Sequence, residues 1–73
     1  MTRIEWLHTQ AQELAYDRGR LIGSAEAVDT DQGPAYRGTH AFTGLSMLGS
    51  SLAALAAWLA SVDDALVNPL AFV

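Results

Sequence analysis

The sequence predicts an all-α protein, built as an antiparallel hairpin of two helices. Apolar residues from Leu45 to Leu66 recur in steps that alternate between three and four. This is the spacing of a helix that packs lengthwise against other helices. A second apolar series with similar spacing runs from Ile4 to Val28, and a Gly-Pro pair at 33–34 separates the two series. With 73 residues, the chain is expected to form a single domain over 1–73.

The first helix is predicted over residues 3–28. Thr2 and Glu5 match the capping box, in which two side chains satisfy backbone amides at a helix start. Gly19 and Gly23 lie inside this segment, and each weakens a helix by about 1 kcal/mol relative to alanine. We interpret them as part of a row of small residues that lets another helix approach closely. The alternative is a kink or a helix end near Gly23.

Residues 29–42 are predicted to form the connection between the helices. The segment is longer than the roughly 2–8 residues usual between packed helices, which makes it a candidate functional element. Tyr36, Arg37 and His40 combine an aromatic ring, a guanidinium and an imidazole, and tyrosine and arginine are enriched in binding hot spots. We predict a site for a partner or ligand here. The alternative is a polar loop in which Tyr36 covers the end of the bundle.

The second helix is predicted over residues 43–67. Thr43 can cap its amino terminus, and Asn68-Pro69 ends it. The tail, residues 68–73, is apolar and is expected to pack back on the hairpin or onto a partner.

The second helix is apolar or small on every face, so one neighbouring helix cannot cover it. Two hairpins are therefore expected to pair into a four-helix bundle, with a dimer as the favoured oligomer. The residues predicted to mediate this self-association are Leu45, Leu48, Leu52, Leu55, Trp58, Leu59, Val62 and Leu66.

Two alternatives use the same segments differently. In the first, residues 41–62 carry no charge and are long enough to cross a bilayer, so that the second helix is a single membrane span. This alternative is not favoured, because alanine, serine and glycine dominate the segment. In the second, an oligomeric helical bundle sequesters an anionic small molecule such as a nucleotide, with Arg18, Arg20 or Arg37 as ligands.

Composition excludes several functions. The net charge is −4 with four basic residues, which argues against a nucleic-acid partner. The sequence has no cysteine and two histidines, and we predict no metal site and no cofactor. Neither a phosphate-binding loop nor a nucleophile elbow is present, so no catalytic residue is predicted. We expect a non-enzymatic protein-interaction module, acting as an adaptor, an inhibitor or an assembly component. No secretory signal is visible, which favours the cytoplasm.

Overall fold

A computed structural model of the chain describes residues 3–67. These residues form one antiparallel sheet followed by one α-helix. The strands are adjacent in chain order, so each consecutive pair is a hairpin. The elements are β1 (Ile4–His8), β2 (Glu13–Asp17), β3 (Arg20–Thr30), β4 (Gly33–His40), β5 (Ser46–Gly49) and α1 (Leu52–Val67).

The predicted all-α hairpin is therefore wrong, and so is the four-helix bundle built from it. The first predicted helix, residues 3–28, contains β1, β2 and most of β3. The predicted connection, residues 29–42, contains the end of β3 and all of β4. The helix begins at Leu52 instead of Thr43, because residues 46–49 pair with β4 as β5. Thr2 and the tail 68–73 lie outside the described residues.

The turn between β2 and β3 shows why the first segment is not a helix. Arg18 and Gly19 both have positive φ angles, of 55° and 81°. Two consecutive positive φ angles characterise the type I′ turn, whose twist matches that of a β-hairpin. An α-helix needs φ near −63°, so the chain reverses at this point. Asp17 and Arg20 then face each other as the closing pair of the hairpin.

Two other turns are held by threonine hydroxyls. Thr9 Oγ1 donates to the carbonyl of Gln12 at 2.6 Å and accepts the Gln12 N–H at 3.1 Å. Thr30 Oγ1 donates to the Gly33 carbonyl at 2.7 Å and accepts the Gln32 N–H at 3.2 Å. Such local bonds between side chain and backbone stabilise turns. They fix the β1–β2 and β3–β4 connections.

The core lies between α1 and one face of the sheet. Leu55 and Leu59 are fully buried there. A Cβ atom at Gly38 would lie 2.9 Å from Leu55 Cδ2, and one at Gly23 would lie 2.7 Å from Leu59 Cδ2. Carbon atoms pack at about 3.5–4.0 Å, so the leucines occupy the space that side chains at these positions would need. The small residues of β3 and β4 thus let the helix approach the sheet closely.

The opposite face of the sheet is not covered by any helix or strand of residues 3–67. Side chains alternate between the two faces of a strand. Positions in register with Gly23 and Gly38 therefore face α1, and their neighbours point the other way. We call this second surface the open face. Its members include Leu7, Leu14, Tyr16, Leu21, Ser24, Glu26, Arg37, Thr39 and Leu48.

The alternative of a membrane span does not match these elements. Residues 41–62 are divided between a turn, β5 and the first part of α1. Within residues 3–67, no helix has both the length and the apolar character needed to cross a bilayer.

Candidate functional site

Apolar side chains are exposed at two places on the open face. Leu7, Leu21 and Leu48 keep 52%, 40% and 57% of their surface exposed. Leu7 lies directly opposite Leu14, and Tyr16 lies opposite Leu21, so these four residues form one apolar corner on β1, β2 and β3. Leu48 lies at the other side of the sheet, on β5.

Polar side chains separate the apolar corner from Leu48. Glu26 and Arg37 are direct cross-strand partners and form an ion pair. Ser24 and Thr39 face each other one step further along β3 and β4. The open face therefore has polar groups at its centre with apolar groups on both sides. Protein interfaces contain both apolar and polar groups, although their apolar groups usually lie at the centre.

A network of ion pairs joins the ends of β1 and β2 to the helix. Arg3 contacts Asp17 Oδ2 at 2.6 Å and Asp64 Oδ1 at 2.8 Å. Its hydrogen bonds to these carboxylates raise the pKa of Arg3, those to Asp64 most. The same bonds lower the pKa of Asp17 and of Asp64. Asp17 is only 7% exposed, and its Oδ1 has no hydrogen-bond partner within the described residues.

A second polar cluster is buried under the helix. His40 and Asp63 are fully or almost fully buried, with His40 Nε2 3.3 Å from Asp63 Oδ1. The backbone N–H groups of Phe42 and Thr43 donate to His40 Nδ1 at 3.3 and 3.2 Å. Because Nδ1 accepts these bonds, the ring proton is on Nε2 and is donated to Asp63. Arg20 binds the other oxygen of Asp63.

This cluster resembles a hydrolytic triad only in the types of its residues. The hydroxyl of Thr43 lies 3.2 Å from His40 Nδ1, and Asp63 contacts the other ring nitrogen. A general base needs a nitrogen lone pair that can take a proton from the nucleophile. At His40 that lone pair already faces two backbone N–H groups, and the ring has no exposed surface. The arrangement fixes the 40–45 turn to the helix and is poorly suited to catalysis.

The predicted arginine ligands lie in two separate places. Arg18 and Arg20 line a cleft of about 350 Å³, together with Arg3 and three aspartates, Asp17, Asp63 and Asp64. The opposite charges in this cleft balance, which makes it a poor attractant for a nucleotide. Arg37 is on the open face and is paired with Glu26. Within residues 3–67, no group of three or more His, Asp or Glu side chains is arranged to hold a metal ion.

The other predicted site residues are also dispersed. Tyr36 and His40 share the helix side of β4, and Arg37 between them faces the open side. In the self-association series, Leu55 and Leu59 are buried against the sheet of the same chain. Leu52, Trp58 and Val62 are half-buried, whereas Leu45, Leu48 and Leu66 are exposed.

Leu7, Leu14, Tyr16 and Leu21 were not predicted to lie on an exposed surface. The sequence contains one signal that could have revealed them, the Asp-Arg-Gly-Arg run at 17–20. A glycine in a two-residue connection between apolar segments favours a tight hairpin turn, because glycine readily adopts the positive φ angle that the turn requires. Reading this turn as the centre of a hairpin pairs Tyr16 with Leu21.

Comparison of the chain with protein-family models, with curated proteins and with solved structures gave no match.

Proposed function

We propose that the protein is a non-enzymatic interaction module that binds another protein through the open face of its sheet. The observation that carries the proposal is the exposure of three leucines, Leu7, Leu21 and Leu48, on a face that no helix or strand of the described chain covers. Contiguous exposed apolar surface that is bordered by polar residues marks protein-interaction sites.

Each part of the face has a role in this proposal. The apolar corner around Leu7 and Leu21 contributes most of the binding energy, because removing apolar surface from water is favourable by about 25 cal/mol per Å². Leu48 adds a second, separate apolar contact. The Glu26–Arg37 pair sets the orientation of the partner and contributes specificity more than affinity. The expected partner presents apolar side chains at two places, on either side of a polar centre.

Photo-crosslinking tests the proposal directly. A photo-reactive amino acid replaces Leu48 on the open face, or Ala54 on the exposed surface of α1 as the matched control. We expect the Leu48 position to give a discrete protein adduct in cells and the Ala54 position to give none. Glu26→Ala combined with Arg37→Ala should reduce the adduct and leave the circular dichroism spectrum unchanged. No adduct at Leu48, or the same adduct at both positions, would exclude the open face as the binding surface.

The module is proposed to act in the cytoplasm as an adaptor, an inhibitor or an assembly component. A sequence free of cysteine is compatible with that compartment. The proposal retains the expected self-association.

A further inference from the structure

The turn that leads from β4 to β5 is built around one buried side chain, that of His40. Its Nδ1 atom accepts the backbone N–H groups of Phe42 and Thr43, at 3.3 and 3.2 Å. The backbone of His40 closes the same turn, because its N–H donates to the Leu45 carbonyl at 2.8 Å and its carbonyl accepts the Gly44 N–H at 3.0 Å. β5 begins directly after Leu45, has four residues and, within the described chain, pairs with β4 alone. The position of β5 therefore depends on this turn.

A second proton on the imidazole would reverse the role of Nδ1. Nε2 already carries a proton, which it donates to Asp63 at 3.3 Å. A proton added to the ring must therefore go to Nδ1, where it would face the two backbone N–H groups that this atom accepts in the neutral ring. The hydroxyl of Thr43, 3.2 Å from Nδ1, is able to accept the new proton, but both N–H groups would lose their acceptor. Buried donors without a partner are costly, so the charged ring does not hold the turn that the neutral ring holds.

The charged groups around the ring act on the added proton in opposite directions. Asp63, on α1, attracts it, and Arg20, on β3, weakens that attraction because it binds the other oxygen of Asp63. Phe42 packs against the ring edge-on and carries no charge. The remaining groups of the cleft that holds Arg20 and Asp63 carry two positive and two negative charges, on Arg3, Asp17, Arg18 and Asp64.

Burial links proton uptake to the opening of the turn. The ring of His40 has no exposed surface, so in the closed turn a charged imidazolium would be held without water, which is costly. Opening of the turn lets water reach both the ring and the backbone N–H groups that lose their acceptor. We therefore expect the ring to take up its second proton as the turn opens.

We propose that the 40–45 turn is a pH-sensitive switch, in which proton uptake by His40 opens the turn and loosens β5 in mildly acidic solution. Histidine ordinarily changes its charge between about pH 5 and 8, so the opening is expected within that range. β5 carries Leu48, and a loosened β5 would no longer hold this leucine on the open face. The inference rests on the proposed function for this consequence, which is weaker binding of the partner protein in acid. The opening of the turn does not require a partner.

Amide hydrogen exchange, followed by NMR on the full chain, tests the opening. The sequence has two histidines, so His8→Gln leaves His40 as the one imidazole that titrates. Protection factors are corrected for the pH dependence of intrinsic exchange. For the Phe42 and Thr43 amides and for β5, they should fall below about two at about pH 5.5, which means a turn that is open at least half of the time. The fall should coincide with the titration of the His40 ring signals, and the amide of Leu59, in the buried part of α1, should stay protected.

His40→Gln in the same background is the matched control that cannot titrate. The glutamine carbonyl oxygen accepts hydrogen bonds and its amide donates them, as Nδ1 and Nε2 do in the neutral ring. The protection of the turn and of β5 in this variant should be independent of pH between about pH 5.5 and about pH 8. The comparison of ring titration with protection in the His8→Gln protein changes nothing at the turn, so the test remains decisive if His40→Gln does not fold.

Four results would overturn the switch. The first is a protection factor in the turn or in β5 that stays above about two at the acidic end of the range. The second is a His40 ring that stays neutral throughout the range. The third is a fall in protection that persists in folded His40→Gln, because the proton would then act elsewhere. The fourth is an equal fall at Leu59, which would indicate acid unfolding of the whole chain.

Crosslinking at Leu48 in a cell extract, at the two ends of the pH range, tests the consequence for binding. We expect the adduct to decrease at least about twofold at the acidic end and to stay constant in His40→Gln, in line with the open fraction of the turn. No adduct at either pH refutes the proposed function and leaves the switch standing. An open turn with an unchanged adduct overturns the regulation and leaves the proposed function standing.

Discussion

Replacing Gly23 with alanine gives opposite results in a helix and in the observed sheet. In a helix, Gly→Ala stabilises by about 1 kcal/mol, because alanine loses less conformational entropy. In the structure, the new Cβ would lie 2.6 Å from the carbonyl oxygen of Thr39 and 2.7 Å from Leu59 Cδ2. The second distance is about 0.8 Å below the closest normal carbon–carbon contact. The oxygen belongs to the backbone of β4 and cannot rotate away.

We therefore expect Gly23→Ala to destabilise the protein. Overpacking of a filled core costs about 1–3 kcal/mol, and the clash with a backbone atom favours the upper part of that range. Urea unfolding followed by far-UV circular dichroism measures the change. Ser24→Ala is the matched control, because Ser24 is the next residue in β3 and points to the open face. Its effect should be within about 0.5 kcal/mol.

The sign of the Gly23→Ala result decides whether this reasoning is correct. A variant more stable than wild type by about 1 kcal/mol would match a helix and contradict the sheet. A change near zero would mean that α1 does not pack on β3 as closely as described. Combining Gly23→Ala with Leu59→Ala removes one of the two clashes. The double variant should lose less stability than the sum of the single variants.

Three further predictions test the core and the polar clusters. Leu55→Ala should cost about 2–5 kcal/mol in urea unfolding, since Leu55 is fully buried, whereas Leu66→Ala at an exposed position should cost less than about 0.5 kcal/mol. Asp17 has a lowered pKa in the folded state, so the unfolded chain binds more protons in acid. The stability that the Arg3 contact contributes is therefore present above the ordinary aspartate pKa. It is lost as the pH falls through the pKa of Asp17 in the folded state. Arg3→Gln should therefore flatten the fall in stability below about pH 4, and an unchanged acid profile would contradict the pairing. His40→Ala should cost roughly 2–4 kcal/mol in thermal or urea unfolding because it leaves two N–H groups and Asp63 short of partners, whereas Thr43→Val should cost less than about 1 kcal/mol.

The spacing of apolar residues was informative for only one part of the chain. Leu52, Leu55, Leu59 and Leu66 do lie on a helix, and two of them form its buried face. In the first segment, Ile4 and Leu7 have similar spacing but lie on opposite faces of β1. In a strand, a step of three residues leads to the opposite face and a step of four leads to the same face. A short apolar series with both steps therefore cannot distinguish a helix from strands. The turn distinguishes the two, because the positive φ angles of Arg18 and Gly19 reverse the chain where a helix would continue.

The role predicted for the small residues of the first segment was wrong, because the sequence does not show which distant residue packs against them. Gly23 was expected to allow two helices to approach each other. It does permit a close approach, but it is the approach of α1 to the sheet, through Leu59. Such a contact joins residues that are 36 positions apart along the chain. Local periodicity contains no information about a pairing at that distance, and the strand register that creates it depends on the turns.

The candidate site could be predicted less well than the helix, because burial depends on which face of each strand the helix covers. The sequence indicated more apolar surface than a small hairpin of helices could bury. The unburied apolar surface was predicted to lie on the second helix. In the structure, Leu55 and Leu59 of α1 are buried against the sheet. The exposed apolar surface lies instead on the sheet itself, at Leu7, Leu21 and Leu48. Binding to another protein would remove that surface from water at little cost in conformational entropy, because the strands already hold these side chains in place. Association thus remains the expected mode of action, with the sheet in place of the helix as the surface that performs it.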